Sequence, residues 1–186
     1  MKEINIMVGR FQPFTNGHLS CVEIAYKKLG IPTVLCMIGV DENKIDEKHP
    51  FPTTLLEPLY KEILGTNKMI EDIIIIKSAD IVKISEMLYD KGYVIRSWTC
   101  GSDRYIPYKK MADRYAEQAK LHKDMEVIEI HRNDDDVSAT QARAALKTGD
   151  KIGFNKLVPI NTLKSRLKGN TYYDVLKKWM DEHFPG

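Results

Sequence analysis

The sequence predicts an α/β protein built on a doubly wound, five-stranded parallel sheet, with helices at its C-terminal end. Two observations carry this prediction. Short apolar runs alternate five times with stretches of helical periodicity between residues 4 and 130, the pattern of repeated right-handed crossovers. Residues 73 to 76 are four consecutive isoleucines, and a β-branched run with no polar face fits a strand covered on both sides.

The first strand is the run containing Ile4, Ile6, Met7 and Val8, and Gly9 ends it without a Cβ to block a close ligand. Pro13 excludes helix there. From Asn16 the residues Leu19, Val22, Ile24, Ala25 and Leu29 recur at helical spacing, Gly30 supplies a stop, and Thr15 or Asn16 supplies a cap. Thr33 to Val40 is the second strand, followed by a charged, proline-containing loop from Asp41 to Pro52 that is a candidate ligand lid. Thr54 and Glu57 form a capping-box pattern before a helix running to Gly65, with Pro58 in its first turn. The isoleucine run is the third strand. Asp80 caps the next helix, which carries Ile81, Ile84, Met87 and Leu88 on one face and stops before Gly92. Tyr93 to Thr99 is the fourth strand, Asp103 to about Lys120 a polar helix, and Met125 to Ile130 the fifth strand. After an acidic loop at Asp134, Asp135 and Asp136, the segment from Val137 opens a short helix; from Asn161 two further helices follow. This organisation places an α/β domain at residues 1–160 and a helical appendage at 161–186, the latter able to support a homo-oligomer.

Composition narrows the function. The 186 residues are 43% hydrophobic, and 28 basic against 26 acidic residues leave a formal charge of +2, so bulk charge does not point to nucleic acid. Three cysteines without CxxC spacing, and no apolar run of membrane-spanning length, lead to the expectation of a cytoplasmic protein with core thiols and no membrane partner. The five histidines show no zinc-ligand spacing, and no GxxxxGK(S/T) loop or GxSxG turn occurs. No protein-built metal site is expected.

Ligands of doubly wound sheets bind outside the carboxyl ends of the strands. Four segments follow strand ends here: Gly9 to His18, Asp41 to His49, Gly101 to Arg104, and Asn133 to Arg143. In the first, a helix start and the imidazole of His18 sit beside a strand end, a natural anion site. In the last, Ser138 and Thr140 gather with Arg143, whose guanidinium can fork onto a phosphate. Lys44, Lys48 and His49 can close over phosphates from the second segment. Asp103 serves as a helix cap or a ribose partner, and Trp98 as a core residue or a stacking platform.

Thr15-Asn16-Gly17-His18 resembles the (H/T)xGH signature of the nucleotidylyltransferase superfamily, and Val137-Ser138-Ala139-Thr140-Gln141-Ala142-Arg143 resembles its (I/V)SxTxxR motif. The flanking Gly9-Arg10-Phe11-Gln12-Pro13-Phe14, with Gly149-Asp150, Phe154 and Leu157-Val158-Pro159, is similar to nicotinamide-mononucleotide adenylyltransferases. Thr15 departs from the histidine usual there; Thr15-Asn16-Gly17-His18-Leu19 is similar instead to phosphopantetheine adenylyltransferases. The resemblance covers residues 4 to 160 and implies a Rossmann-like nucleotidylyltransferase fold. It implies an adenylyltransferase moving AMP from ATP to nicotinamide mononucleotide, with Mg2+ arriving mainly on the ATP phosphates. His18 and Arg143 would be catalytic. Gly9, Arg10, Phe11, Thr15, Gly17, His18, Lys48, Gly101, Asp103, Ser138, Thr140 and Arg143 would bind the nucleotide. Phosphopantetheine transfer, cytidylyl transfer to a polar phosphate, and a non-catalytic nucleotide sensor remain open. A tRNA-synthetase fragment does not fit, since no KMSKS-like loop occurs.

Overall fold

The computed structural model of the chain describes residues 1–131, 134–159 and 170–186, and side chains within 134–137 are left aside. The element order is β1 (Lys2–Gly9), α1 (Asn16–Leu29), β2 (Thr33–Ile38), α2 (Thr53–Leu64), β3 (Ile70–Ile76), α3 (Ile81–Asp90), β4 (Tyr93–Gly101), α4 (Ser102–Arg114), β5 (Leu121–Ile130), α5 (Asp134–Thr148), α6 (Lys151–Leu157) and α7 (Tyr172–His183). The strands form one sheet in the order β3-β2-β1-β4-β5, and every pairing is parallel. The predicted fold class is therefore the observed one.

The chain divides into two compact units: residues 1–9, 20–38 and 68–133, and residues 10–19, 39–67 and 134–186. The first contains the sheet. Its core gathers Ile4, Ile6, Val34, Ile74, Ile84, Leu88, Ile95 and Trp98. A polar ladder crosses this apolar interior. Asn5 donates to Thr33 Oγ1 at 3.0 Å and Thr99 Oγ1 at 2.9 Å, and accepts from Ser97 Oγ at 2.7 Å, all in buried positions. Both ends of the Asn5 amide are thus satisfied across β2, β1 and β4, which fixes their relative register. The strand order reverses between β1 and β4. Gly9 and Gly101 each lie three residues beyond the pair Ile6 and Trp98, the last of the β1–β4 register, so both strand ends border the crevice where such sheets bind ligands.

Several expected boundaries shift. The second strand stops at Ile38 rather than Val40, while the third to fifth are longer than expected, reaching Ile70, Gly101 and Leu121. A short 3-10 helix, Glu42–Lys44, capped by Asp41, interrupts the expected loop. α2 begins at Thr53 after Pro52, so the Thr54–Glu57 capping box does not form and Pro58 lies inside the helix. Thr53 instead accepts the Val40 N–H through Oγ1 at 2.7 Å. Asp80 caps α3 as expected, accepting from Val82 and Lys83 N–H. α4 ends at Arg114, short of Lys120, and starts after Gly101, which removes Asp103 from the cap position. Trp98 is fully buried and stacks on Tyr108 with centroids 4.1 Å apart, which makes it core rather than a ligand platform. Cys21, Cys36 and Cys100 are buried thiols.

The second unit assembles the β1–α1 turn, the segment 39–67 and the last helices. α5 starts at Asp134, so the acidic triplet belongs to a helix rather than a loop, and Ser138 lies within the helix instead of at its start. Acidic residues suit a helix's first turn because of the macrodipole. Of the two C-terminal helices expected from Asn161, the second is α7, closed by a capping box between Thr171 and Asp174; Asn161, Leu163, Leu167 and the expected boundary at residue 160 lie outside the described residues. Among the described residues no helix is long and apolar enough to cross a membrane.

Candidate active site

The turn after β1 is held by polar contacts that its sequence does not announce. Phe11 adopts a left-handed backbone with φ 51°, a conformation costing a non-glycine residue roughly 1–2 kcal/mol. It is held there by burial and by the Tyr60 hydroxyl, which donates to the Phe11 carbonyl at 2.6 Å and accepts the Phe14 N–H at 2.9 Å. Tyr172 donates to the Phe14 carbonyl at 3.0 Å. Gln12 is buried and pairs with the backbone of Phe51 in both directions, donating at 2.7 Å and accepting at 2.9 Å. The turn and the 46–51 loop are thereby one polar construction.

α1 starts at Asn16, leaving Thr15 as the cap residue and His18 in the first turn. His18 Nδ1 accepts the Thr15 N–H at 3.0 Å, with the Thr15 hydroxyl 3.3 Å away. This is the backward half of a capping box, with imidazole in place of the usual glutamate. A backbone N–H only donates, so the ring is neutral and carries its proton on Nε2. Phe11 packs edge-on to the ring at 5.0 Å and Phe14 lies at 5.3 Å. Enclosure by these groups lowers the His18 pKa from 6.5 to about 4 through desolvation. At neutral pH His18 is a fixed hydrogen-bond donor, not a cation.

Arg143 enters from α5. Its Nη1 donates to the Gln12 carbonyl at 2.6 Å and its Nη2 to Thr140 Oγ1 at 3.3 Å, so the guanidinium is tied to the same turn that presents His18. Burial lowers the pKa of His49 first, the charges of Arg10, Lys48 and Arg143 lower it further, and Asp46, 3.6 Å from its Nδ1, opposes them. Arg10 and Lys48 are exposed.

Of the sequence-derived site residues, Arg10, Phe11, Thr15, Gly17, His18, Lys48, Ser138, Thr140 and Arg143 fall in the second unit, and Gly9, Gly101 and Asp103 in the first. Thr15, Phe11 and Gly17 are buried, and the first two shape the surroundings of His18. Gly101 borders Asp103 closely, since a Cβ there would meet Asp103 Oδ1 at 3.0 Å. Sequence reasoning missed Gln12, Tyr60 and Tyr172 as positioning groups; only the Gln12-Pro13 pair inside the motif offered a signal. Among the described residues no group of three His, Cys, Asp or Glu side chains is placed to hold a metal ion.

Solved structures with this fold include a bifunctional NMN adenylyltransferase/ADP ribose pyrophosphatase from Francisella tularensis, with a TM-score of 0.60 at 19% identity. That alignment covers 97% of this chain and 50% of the other, so this chain spans about half its length. The nicotinic acid mononucleotide adenylyltransferase of Plasmodium falciparum, complexed with NaAD, gives a TM-score of 0.58 at 13% identity, covering 97% of both chains. No curated protein matches in sequence. The family described as cytidylyltransferase-like matches residues 6–145, from β1 through most of α5, and the chain belongs to that family.

Proposed function

We propose that the protein is a nucleotidyltransferase that moves AMP from ATP to nicotinamide mononucleotide, releasing pyrophosphate and forming NAD. The observation that carries the chemistry is the locked, neutral His18, held by Thr15 and walled by Phe11 and Phe14. A phosphate oxygen of the acceptor attacks the α-phosphorus of the nucleotide. The bond to the bridging oxygen breaks, and pyrophosphate takes the electron pair. The attacking phosphate is largely ionised near neutral pH, its second pKa being about 6, so no general base is needed. The requirement is alignment of two polyanions and stabilisation of the charge that builds on the transferring group.

His18 meets that requirement by donating from Nε2 to an α-phosphate oxygen, while the N–H groups at the start of α1 face the phosphates. Arg143, with Thr140 and Ser138 on the same helix, receives the departing pyrophosphate. Arg10 and Lys48 neutralise the nucleotide tail. Magnesium, when bound, would be carried by the nucleotide phosphates and would screen their charge.

The experiment is a mass-spectrometric product assay with purified protein, magnesium, ATP or CTP, and either nicotinamide mononucleotide or phosphopantetheine. NAD formed from ATP and the mononucleotide alone supports the proposal. Dephospho-coenzyme A or a cytidylyl product would replace the acceptor or the nucleotide, and binding without product would reduce the site to a sensor.

A further inference from the structure

Helix α3 carries a stripe of side chains that the core does not use. Ile81, Ile84 and Leu88 are buried in the sheet core, whereas Lys83, Met87 and Asp90, at spacing i, i+4 and i+7, share a second, exposed face. Met87, which the apolar pattern of the sequence groups with the core residues, is 38% exposed. It stands at a groove of about 480 Å³ whose lining includes Ile75 and Ile76 of β3 together with Lys83 and Asp90 of α3. β3 is the last strand on this side of the sheet, so among the described residues no further strand covers the groove. The charges at the two ends of the stripe are set against the helix that carries them. Lys83 lies in the first turn, where the macrodipole favours an acid, and Asp90 is the last residue, where it favours a base. Among the described residues neither side chain forms an ion pair.

We propose that this stripe is the contact between two copies of the chain, related by a two-fold axis that sets their α3 helices antiparallel, with Met87 of each copy in the groove of the other and Lys83 of each against the partner's Asp90. The order cation, apolar residue, anion becomes its own complement when reversed, which is what an isologous contact requires. Antiparallel packing also relieves both misplaced charges. Lys83, at the positive end of its helix, meets an aspartate at the negative end of the other, and each gains the opposite charge that the single chain does not supply. Methionine suits the middle position because its unbranched thioether adapts to a groove of irregular shape. The mixed signs along the groove do not match a uniformly charged partner such as nucleic acid. This contact is independent of the nucleotidyl-transfer reading, and it places self-association on α3 rather than on the C-terminal helices.

Sedimentation velocity of the full chain over a wide range of concentrations reads the monomer–dimer equilibrium. Wild type should dimerise, and more weakly as salt is raised. Lys83→Glu and Asp90→Lys each turn two attractive contacts of the dimer into two repulsive ones, and each should raise the dimer Kd by about tenfold or more. Both substitutions agree with the macrodipole better than the native residues do, so each variant should fold and keep the circular dichroism of wild type. Mixed in equal amounts, the two single variants should dimerise with each other, and the chain carrying both substitutions should dimerise with itself, because opposite charges then face one another again. A wild-type chain that stays monomeric at every concentration would overturn the contact. A dimer whose Kd is the same in wild type and both single variants, or single variants that fail to associate when mixed, would overturn it as well.

Discussion

Acidification should destabilise this protein through His18. The ring is neutral in the folded chain, with a pKa of about 4 against 6.5 for the free group. Between those values the unfolded chain binds the proton and the folded chain does not, so stability rises with pH across that window and is lost as pH falls through it. Going from pH 7 to pH 4.5 should cost roughly 2–3 kcal/mol from this residue alone. The loss has a structural meaning: protonation of Nδ1 would set two donors, imidazolium and Thr15 N–H, against each other at 3.0 Å. His18→Asn removes the titration while keeping an acceptor that can reach the Thr15 N–H. Urea denaturation followed by circular dichroism at both pH values isolates the effect, because every other titrating group is common to the two proteins. Wild type should lose 2–3 kcal/mol more than His18→Asn. Parallel losses would refute the neutral, enclosed state of His18 and the donor role built on it.

Other consequences are equally specific. Arg143→Lys should weaken binding of ATP and slow product formation, because a lysine cannot hold the Gln12 carbonyl and Thr140 together as the guanidinium does; wild-type kcat/KM would remove Arg143 from the site. Asn5→Leu should destabilise the fold by about 2–4 kcal/mol in chemical denaturation, since Thr33, Ser97 and Thr99 lose their buried partner; a neutral effect would show that the ladder does not fix the sheet. Tyr60→Phe, which loses a donor to Phe11 and an acceptor for Phe14, should reduce kcat more than it raises KM if the turn positions His18. A change confined to KM would contradict that role. Burial raises the Cys36 thiol pKa and brings that of Cys100 up to about 12, so iodoacetamide at pH 8 should label neither cysteine in the folded protein; rapid labelling would contradict their burial.

The parts of the fold visible in the sequence are those written in apolar pattern. The isoleucines of β3 and the spacing of Ile81, Ile84 and Leu88 state burial directly, and burial dictates element type. Boundaries were less legible because they depend on who supplies the capping bond: Thr53 serves the Val40 N–H, a partner thirteen residues away, and leaves the Thr54–Glu57 pattern unused. Asp134, Asp135 and Asp136 look like a solvated loop by charge, yet acids also stabilise a helix start. At the candidate site, His18 and Arg143 were legible because each stands in a motif with a physical reason for its residue types. Gln12, Tyr60 and Tyr172 were not, because their roles exist only once residues far apart in sequence meet. Thr15 is buried, with its N–H and its hydroxyl both against His18 Nδ1, a pairing that only the folded turn reveals.

The most direct test of the account is product formation by wild type and His18→Ala side by side, with ATP, magnesium and nicotinamide mononucleotide, read by the mass of the dinucleotide. Wild type should form NAD, and His18→Ala should form it more slowly by about a hundredfold or more while remaining folded. NAD formed at equal rates by both proteins would contradict the role of His18 in the transfer, and no nucleotidyl product from wild type with any acceptor would contradict the transfer itself.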